Sequence, residues 1–352
     1  GAHAQGGAGR GRELPVRMKG SRTLRSVAVL LAVVALASVL LFAGNQSRWL
    51  QPPAARPFLL SHRGVHQTFD VRGLRSDTCT AAQIHAPTHA LIENTLPSMR
   101  AAFDAGADMV EFDVHPTKDG AFAVFHDWTL ECRTEGRDVV RDHTLAQLQA
   151  LDVGYGYTSD GGKTYPLRGK GIGLMPSVSQ VLSEFPTGRF LIHMKSRDAE
   201  EGRLLAGRLA ALDAVQRSRL VVYGSDEPVS ALNQALPDIR VAPRSALVQC
   251  LLRYAALGWS SYMPKACRSG LMLVPVNVAP WLWGWPHRLQ RRLETAGTRL
   301  VVIGPYAGGD FSSGIDNTET LAELPVDYRG GLGANRTGRT GPGVPSPGPG
   351  CS

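Results

Sequence analysis

The chain has 352 residues, 43% of them hydrophobic and 19% charged, with a formal net charge of +8, which is enough apolar material for one large core. The positive charge sits in the flanks: residues 1–50 hold seven Lys/Arg and one Glu, the stretch from Arg329 onward holds three Arg and no acid, and the body 51–328 has 28 basic and 29 acidic residues. A nucleic-acid-binding body would need a basic patch of its own, so no nucleic-acid partner is expected.

Residues 1–25 are basic and rich in Gly and Arg, and are expected to be disordered. Residues 26–44 then run without a charge from Ser26 to Ala43, 18 residues, at the short end for a membrane-spanning helix. Arg22 and Arg25 precede the run, which favours that side in the cytoplasm. The rest of the chain is then expected outside it, membrane-anchored and extracytoplasmic (periplasmic or extracellular). A cleaved signal segment ending near Ala43-Gly44 is the rival reading. The segment 51–57 is a proline-rich link.

Strand-like runs follow at 58–61, 108–114, 122–126, 190–195, 220–223, 240–242, 271–276 and 299–303. Helix-like stretches at 96–105, 145–151, 176–184, 200–212 and 286–296 lie between them. Eight strands alternating with helices predict an α/β fold, a TIM-type (β/α)8 barrel over 56–328. An open doubly wound sheet fits the same alternation, but no G-x-G-x-x-G follows the first strand to support dinucleotide binding. From Arg329 to the end, 329–352, the composition becomes Gly-Arg-Pro-Ser low complexity and predicts a disordered tail.

Five cysteines suit an exported chain. Cys79 and Cys132 flank the chemistry-bearing segments, Cys250 and Cys267 are closer neighbours, and Cys351 lies in the tail. Two disulfides are expected among the first four, with the pairing open, since four cysteines allow three connectivities.

The chemistry-bearing residues cluster at strand ends. His62-Arg63-Gly64 ends the first run, Glu111-Phe112-Asp113 lies in the second, and His126-Asp127 ends the third. Residues two apart on a strand share a face, so Glu111 and Asp113 together suit a hard divalent cation. His62 and His126, titrating near neutrality, suit acid/base work beside it. Barrel active sites lie at the C-terminal ends of the strands, where His193 and Lys195 also fall. Thr95, ahead of Leu96-Pro97, reads as a helix N-cap. The long connections 65–92 and 155–173 read as pocket-shaping loops. The aromatic cluster Trp281-Leu282-Trp283-Gly284-Trp285 suits packing or an apolar wall.

His62-Arg63-Gly64, Glu93-Asn94-Thr95, Gly106-Ala107-Asp108, Glu111-x-Asp113, Thr117-Lys118-Asp119-Gly120, His126-Asp127 and Leu174-Met175-Pro176-Ser177 stand in one order along the chain. Together they resemble the glycerophosphodiester phosphodiesterase family, within the PLC-like phosphodiesterase barrels. The resemblance implies the closed barrel and hydrolysis of glycerophosphodiesters to glycerol 3-phosphate and an alcohol. It implies His62 and His126 as the catalytic pair, a divalent cation on Glu111 and Asp113, and substrate contacts from Arg63, Glu93 and Lys195.

One position departs from the family. Ile192-His193-Met194-Lys195 stands where the family has Ile-Glu-Ile-Lys, so His193 replaces a metal-binding Glu. Mg²⁺ or Ca²⁺ is the first expectation for the cofactor, with Mn²⁺ or Zn²⁺ admitted by the imidazole. Two other functions stay open on sequence: phospholipase D-like cleavage of lysolipids or sphingolipids, and a non-catalytic phosphate- or glycan-binding barrel. The expected partners are a small phosphodiester or lipid-derived substrate, and a membrane through the N-terminal segment.

Overall fold

A computed structural model describes residues 20–47, 50, 52, 56–71, 73–75, 77–268, 270–308 and 313–335. Most of the basic N-terminus, the tail beyond Asn335 and Cys351 lie outside the described residues. Two compact units, Gly1–Asn45 and Gln46–Ser352, divide the chain. In the first, Gly20–Asn45 is a helix of 26 residues. Its stretch Leu24–Asn45 has a mean hydropathy of 2.8 and is the one helix among the described residues long and apolar enough to cross a membrane.

The second unit is built on nine strands: β1 Phe58–His62, β2 Met109–Pro116, β3 Phe122–Val124, β4 Phe190–Met194, β5 Leu220–Gly224, β6 Arg240–Pro243, β7 Leu271–Pro275, β8 Arg299–Ile303 and β9 Gly331–Ala334. Eight of them pair in the order β6-β5-β4-β2-β1-β9-β8-β7, and every one of those pairings is parallel. The result is a nearly closed TIM-type barrel whose two end strands, β6 and β7, are not hydrogen-bonded to each other.

The eight barrel strands are not the eight expected. The run at 122–126 forms β3, which turns back antiparallel on β2, pairing Val114 with Val124; a short apolar run carries no mark of its direction. Its place in the barrel is taken by β9, drawn from the start of the expected tail, which pairs with both β1 and β8. Gly-Leu-Gly-Ala has little strand propensity. Its glycines serve close packing instead: a Cβ on Gly331 would lie 2.6 Å from the Leu300 carbonyl oxygen.

Phe58, Leu60, Met109, Leu191, Val221, Ala242, Leu271 and Val301 pack as one cluster. Each of Leu60, Met109, Leu191 and Val221 lies two residues before a polar residue on the same strand face: His62, Glu111, His193 and Tyr223 respectively. The barrel interior is therefore apolar below and polar at its C-terminal mouth. On the opposite strand face, Val110, Phe112, Val114, Ile192 and Val222 pack with helix residues such as Met99, Ala102, Leu205 and Leu232. Thr95 caps the helix Leu96–Asp104, accepting from the Ser98 amide.

The connection 65–92 is held to the barrel by the Cys79–Cys132 disulfide, with Cα atoms 5.5 Å apart; Cys250–Cys267 is the second bond. The first closes a loop of 53 residues. Its loss in Cys79→Ser/Cys132→Ser is expected to cost about 2–5 kcal/mol, read as a lower urea midpoint. An unchanged midpoint would show that the insertion is held by packing alone.

Candidate active site

Strand register assembles the site. His62 stands beside Glu111 across β1 and β2. Asp113, His193 and Tyr223 stand in one row across β2, β4 and β5. Ser61 pairs with Ala334, which brings the next residue, Asn335, to His62.

Each histidine of the expected pair is held through Nδ1. His62 Nδ1 lies 2.8 Å from Asn335 Oδ1, and the Asn335 amide group in turn donates to Asp316. That orientation of the amide leaves its oxygen for His62, so His62 Nδ1 carries the hydrogen. His126 Nδ1 lies 2.6 Å from Asp127 Oδ1. Both rings therefore present an unprotonated Nε2. His62 Nε2 is 3.8 Å from Glu111 Oε2, and His126 Nε2 accepts from Lys195 Nζ at 3.2 Å. Burial, then Arg63, lowers the proton affinity of both rings, that of His126 to about 4. His115 lies beneath, its Nε2 3.3 Å from the His126 carbonyl oxygen.

Glu111, Asp113 and His193 each offer one ligand atom, all within 4.8 Å of one another. Burial and the neighbouring Asp113 push the Glu111 carboxyl up to about 8. Burial opposes ionisation of Asp113 as well, but Arg63, His126 and Lys195 together hold it well below the usual range. His193 Nδ1 lies 2.8 Å from Asp113 Oδ1, and its ring stacks on Tyr223 at 4.3 Å. The Tyr223 hydroxyl donates to Glu111 Oε1 at 2.8 Å.

Arg63 sits in the left-handed region at φ 58°, as does Asn94, a conformation uncommon outside glycine. Local bonds hold the turn: Arg63 N–H donates to the Glu111 carbonyl, and the Arg63 carbonyl accepts from Asn94 N–H and Ser98 Oγ. Gly64 follows at φ 77°, where a Cβ would fall 2.2 Å from Ser98 Oγ. The Arg63 guanidinium is thereby brought to Glu93 Oε1 at 3.0 Å and Asp113 Oδ2 at 3.1 Å. Asn94 Nδ2 donates to the same Asp113 oxygen.

The structure thus brings His62, Arg63, Glu93, Glu111, Asp113, His126, His193 and Lys195 into one connected network. Glu93, expected among the substrate contacts, faces the site through Arg63. It is buried, with Arg63 on one oxygen and Arg133 3.3 Å from the other, and these cations hold its carboxyl far below the usual range against the effect of burial. Sequence reasoning missed Asn335, Tyr223 and Arg133. Tyr223 was within reach: it ends a strand-like run, two residues beyond an interior valine.

An α/β barrel with its polar groups gathered at the C-terminal mouth is the class this geometry defines, and comparison agrees. The sequence model of the Glycerophosphoryl diester phosphodiesterase family matches residues 62–219. The glycerophosphodiester phosphodiesterase of Bacillus subtilis is 36% identical over 114 residues, 31% of this chain and 38% of that relative. The chain thus matches less than half the length of that curated relative. The crystal structure of glycerophosphodiester phosphodiesterase from Agrobacterium tumefaciens superposes with a TM-score of 0.51 at 18% identity, over 81% of this chain and 98% of that one. The glycerophosphoryl diester phosphodiesterase domain of a Mycobacterium tuberculosis protein gives 0.53 at 15% identity, over 80% and 97%. These two likenesses concern the fold. Over residues 62–219 the chain is similar to the glycerophosphoryl diester phosphodiesterase family.

Proposed function

We propose that this chain hydrolyses glycerophosphodiesters to glycerol 3-phosphate and an alcohol, using His62 and His126 as the acid/base pair. The observation that carries the reading is that each ring is fixed through Nδ1, by Asn335 and by Asp127, so that both Nε2 atoms are available beside the buried Glu111–Asp113 pair. One imidazole takes the proton of the attacking hydroxyl or water as the new P–O bond forms. The other first takes up a proton from solvent at its free Nε2 and then gives it to the alkoxide oxygen as the old P–O bond breaks. Arg63 and Lys195 supply positive charge to the phosphate oxygens. Glu93 aims Arg63 rather than touching substrate.

Glu111, Asp113 and His193 fit a divalent cation. Two carboxylates and an imidazole converge there, and burial with the neighbouring Asp113 pushes one carboxyl up to about 8. A bound cation supplies Lewis-acid stabilisation of the phosphoryl oxygens. The imidazole in the set shifts preference from Ca²⁺ toward Mn²⁺ or Zn²⁺.

The Glu111 proton gives a signed expectation. Below about pH 8 that carboxyl is protonated and must ionise to bind metal, so Mn²⁺ affinity rises with pH up to that point and then levels. Calorimetric titration near neutrality, in buffers of different ionisation enthalpy, should report release of about one proton per ion. Affinity independent of pH across this range would mean that Glu111 is not a ligand.

The apolar helix Leu24–Asn45, with Arg22 before it, supports a membrane anchor that leaves the barrel extracytoplasmic, where both disulfides would persist. Activity is tested with the metal-stripped protein on bis-p-nitrophenyl phosphate, adding Mg²⁺, Ca²⁺, Mn²⁺ or Zn²⁺ in turn. Turnover restored by a divalent ion supports the reading. Phosphate-ester binding without turnover would instead favour a binding barrel.

A further inference from the structure

We propose that Arg133 is a positioning residue that locks the proton-transfer group His126 and the phosphate-binding group Arg63 into one rigid unit. The proposal rests on the phosphodiesterase reading for the roles of the two groups it links. Arg133 is 2% exposed, so it does not touch substrate. Its Nε is 2.8 Å from Asp127 Oδ2, and its Nη1 is 3.3 Å from Glu93 Oε2. Asp127 holds His126 on its other oxygen, and Glu93 holds Arg63 on its other oxygen. Charges therefore alternate along a buried path from Asp127 through Arg133, Glu93 and Arg63 to Asp113, with the His126 ring held at its Asp127 end.

A lone buried charge is costly, and removing the middle of such a path leaves Asp127 without a cation beside it. Glu93 would then be balanced by Arg63 alone. Asp127 would act on His126 at full strength and raise its proton affinity. The other charged or titratable groups that act on His126 are Arg63, Asp113, Lys195, His115 and Glu93; none of these is removed by the change.

The outer side of Arg133 is also fixed. Nη1 donates to the Tyr157 hydroxyl and Nη2 to Thr80 Oγ1, each at 2.9 Å. Arg133 follows Cys132 and Thr80 follows Cys79, so the Cys79–Cys132 bond ties together the chain on either side of that contact. This gives the 65–92 connection a task at the site: it presents Thr80 to the guanidinium.

The test compares full-length wild type with Arg133→Met and Arg133→Lys. For Arg133→Met, kcat on glycerophosphocholine is expected to fall about 10–100-fold, the range typical of groups that orient an active-site side chain, with KM nearly unchanged. The kcat–pH limb set by His126 should move to higher pH. Arg133→Lys keeps the charge and should restore the limb and part of kcat. Ring ¹⁵N NMR of His126 needs no substrate: wild type should show the Nδ1–H tautomer near neutrality, and Arg133→Met a more protonated ring. Wild-type inactivity with that ring shift intact would remove the phosphodiesterase reading and leave the positioning role. An unmoved limb and unmoved ring signal in folded Arg133→Met would overturn the proposal. If Arg133→Met does not fold, Arg133→Lys decides: a lower kcat at constant KM supports the role, and wild-type kcat overturns it.

Discussion

His126→Ala is expected to lower kcat on glycerophosphodiesters by about two to four orders of magnitude, the usual contribution of a positioned acid or base. His126 is buried, tied to Asp127 at Nδ1 and bonded to Lys195 at Nε2. Alanine removes the proton carrier but leaves Arg63 on Glu93 and Asp113, so KM should change far less than kcat. His62→Ala should give a similar loss. The double variant should be little worse than either single one, because groups acting in one proton-transfer cycle are strongly non-additive. Steady-state kinetics on protein of wild-type urea midpoint separates this from misfolding. A loss under tenfold in His126→Ala would place the chemistry elsewhere.

His193→Glu is the second large effect. The imidazole lies with Glu111 and Asp113 in the ligand cluster and stacks on Tyr223. Glutamate replaces a borderline nitrogen donor with a hard oxygen donor and adds negative charge. Preference should shift toward Mg²⁺ and Ca²⁺ relative to Zn²⁺, by about tenfold or more. The substitution also sets a third carboxylate beside Asp113, so the metal-free variant should melt earlier and regain stability on adding Mg²⁺. Competition binding and melting curves read both effects. The same metal ranking in both proteins would show that His193 is not a ligand.

What the sequence made legible was what lies close along the chain. His62-Arg63-Gly64, Glu111-x-Asp113 and His126-Asp127 carry their chemistry in two or three residues, and strand alternation was enough to face Glu111 and Asp113 the same way. The groups that orient them come from far along the chain. Asn335 reaches His62 from 273 residues away, out of a stretch whose composition reads as tail. Tyr223 reaches Glu111 across 112 residues. Strand direction was equally hidden. Only pairing distinguishes β3, folded back on β2, from a barrel strand, and only pairing with two neighbours makes a strand of Gly331–Ala334.

Diester hydrolysis by this chain is tested most directly by ³¹P NMR of glycerophosphocholine incubated with the metal-loaded, full-length protein, beside His62→Ala. The diester signal is expected to convert into that of glycerol 3-phosphate, a conversion abolished by metal chelation and nearly absent in His62→Ala. A folded, metal-loaded wild type that leaves the diester untouched, or that releases phosphocholine instead, would contradict it.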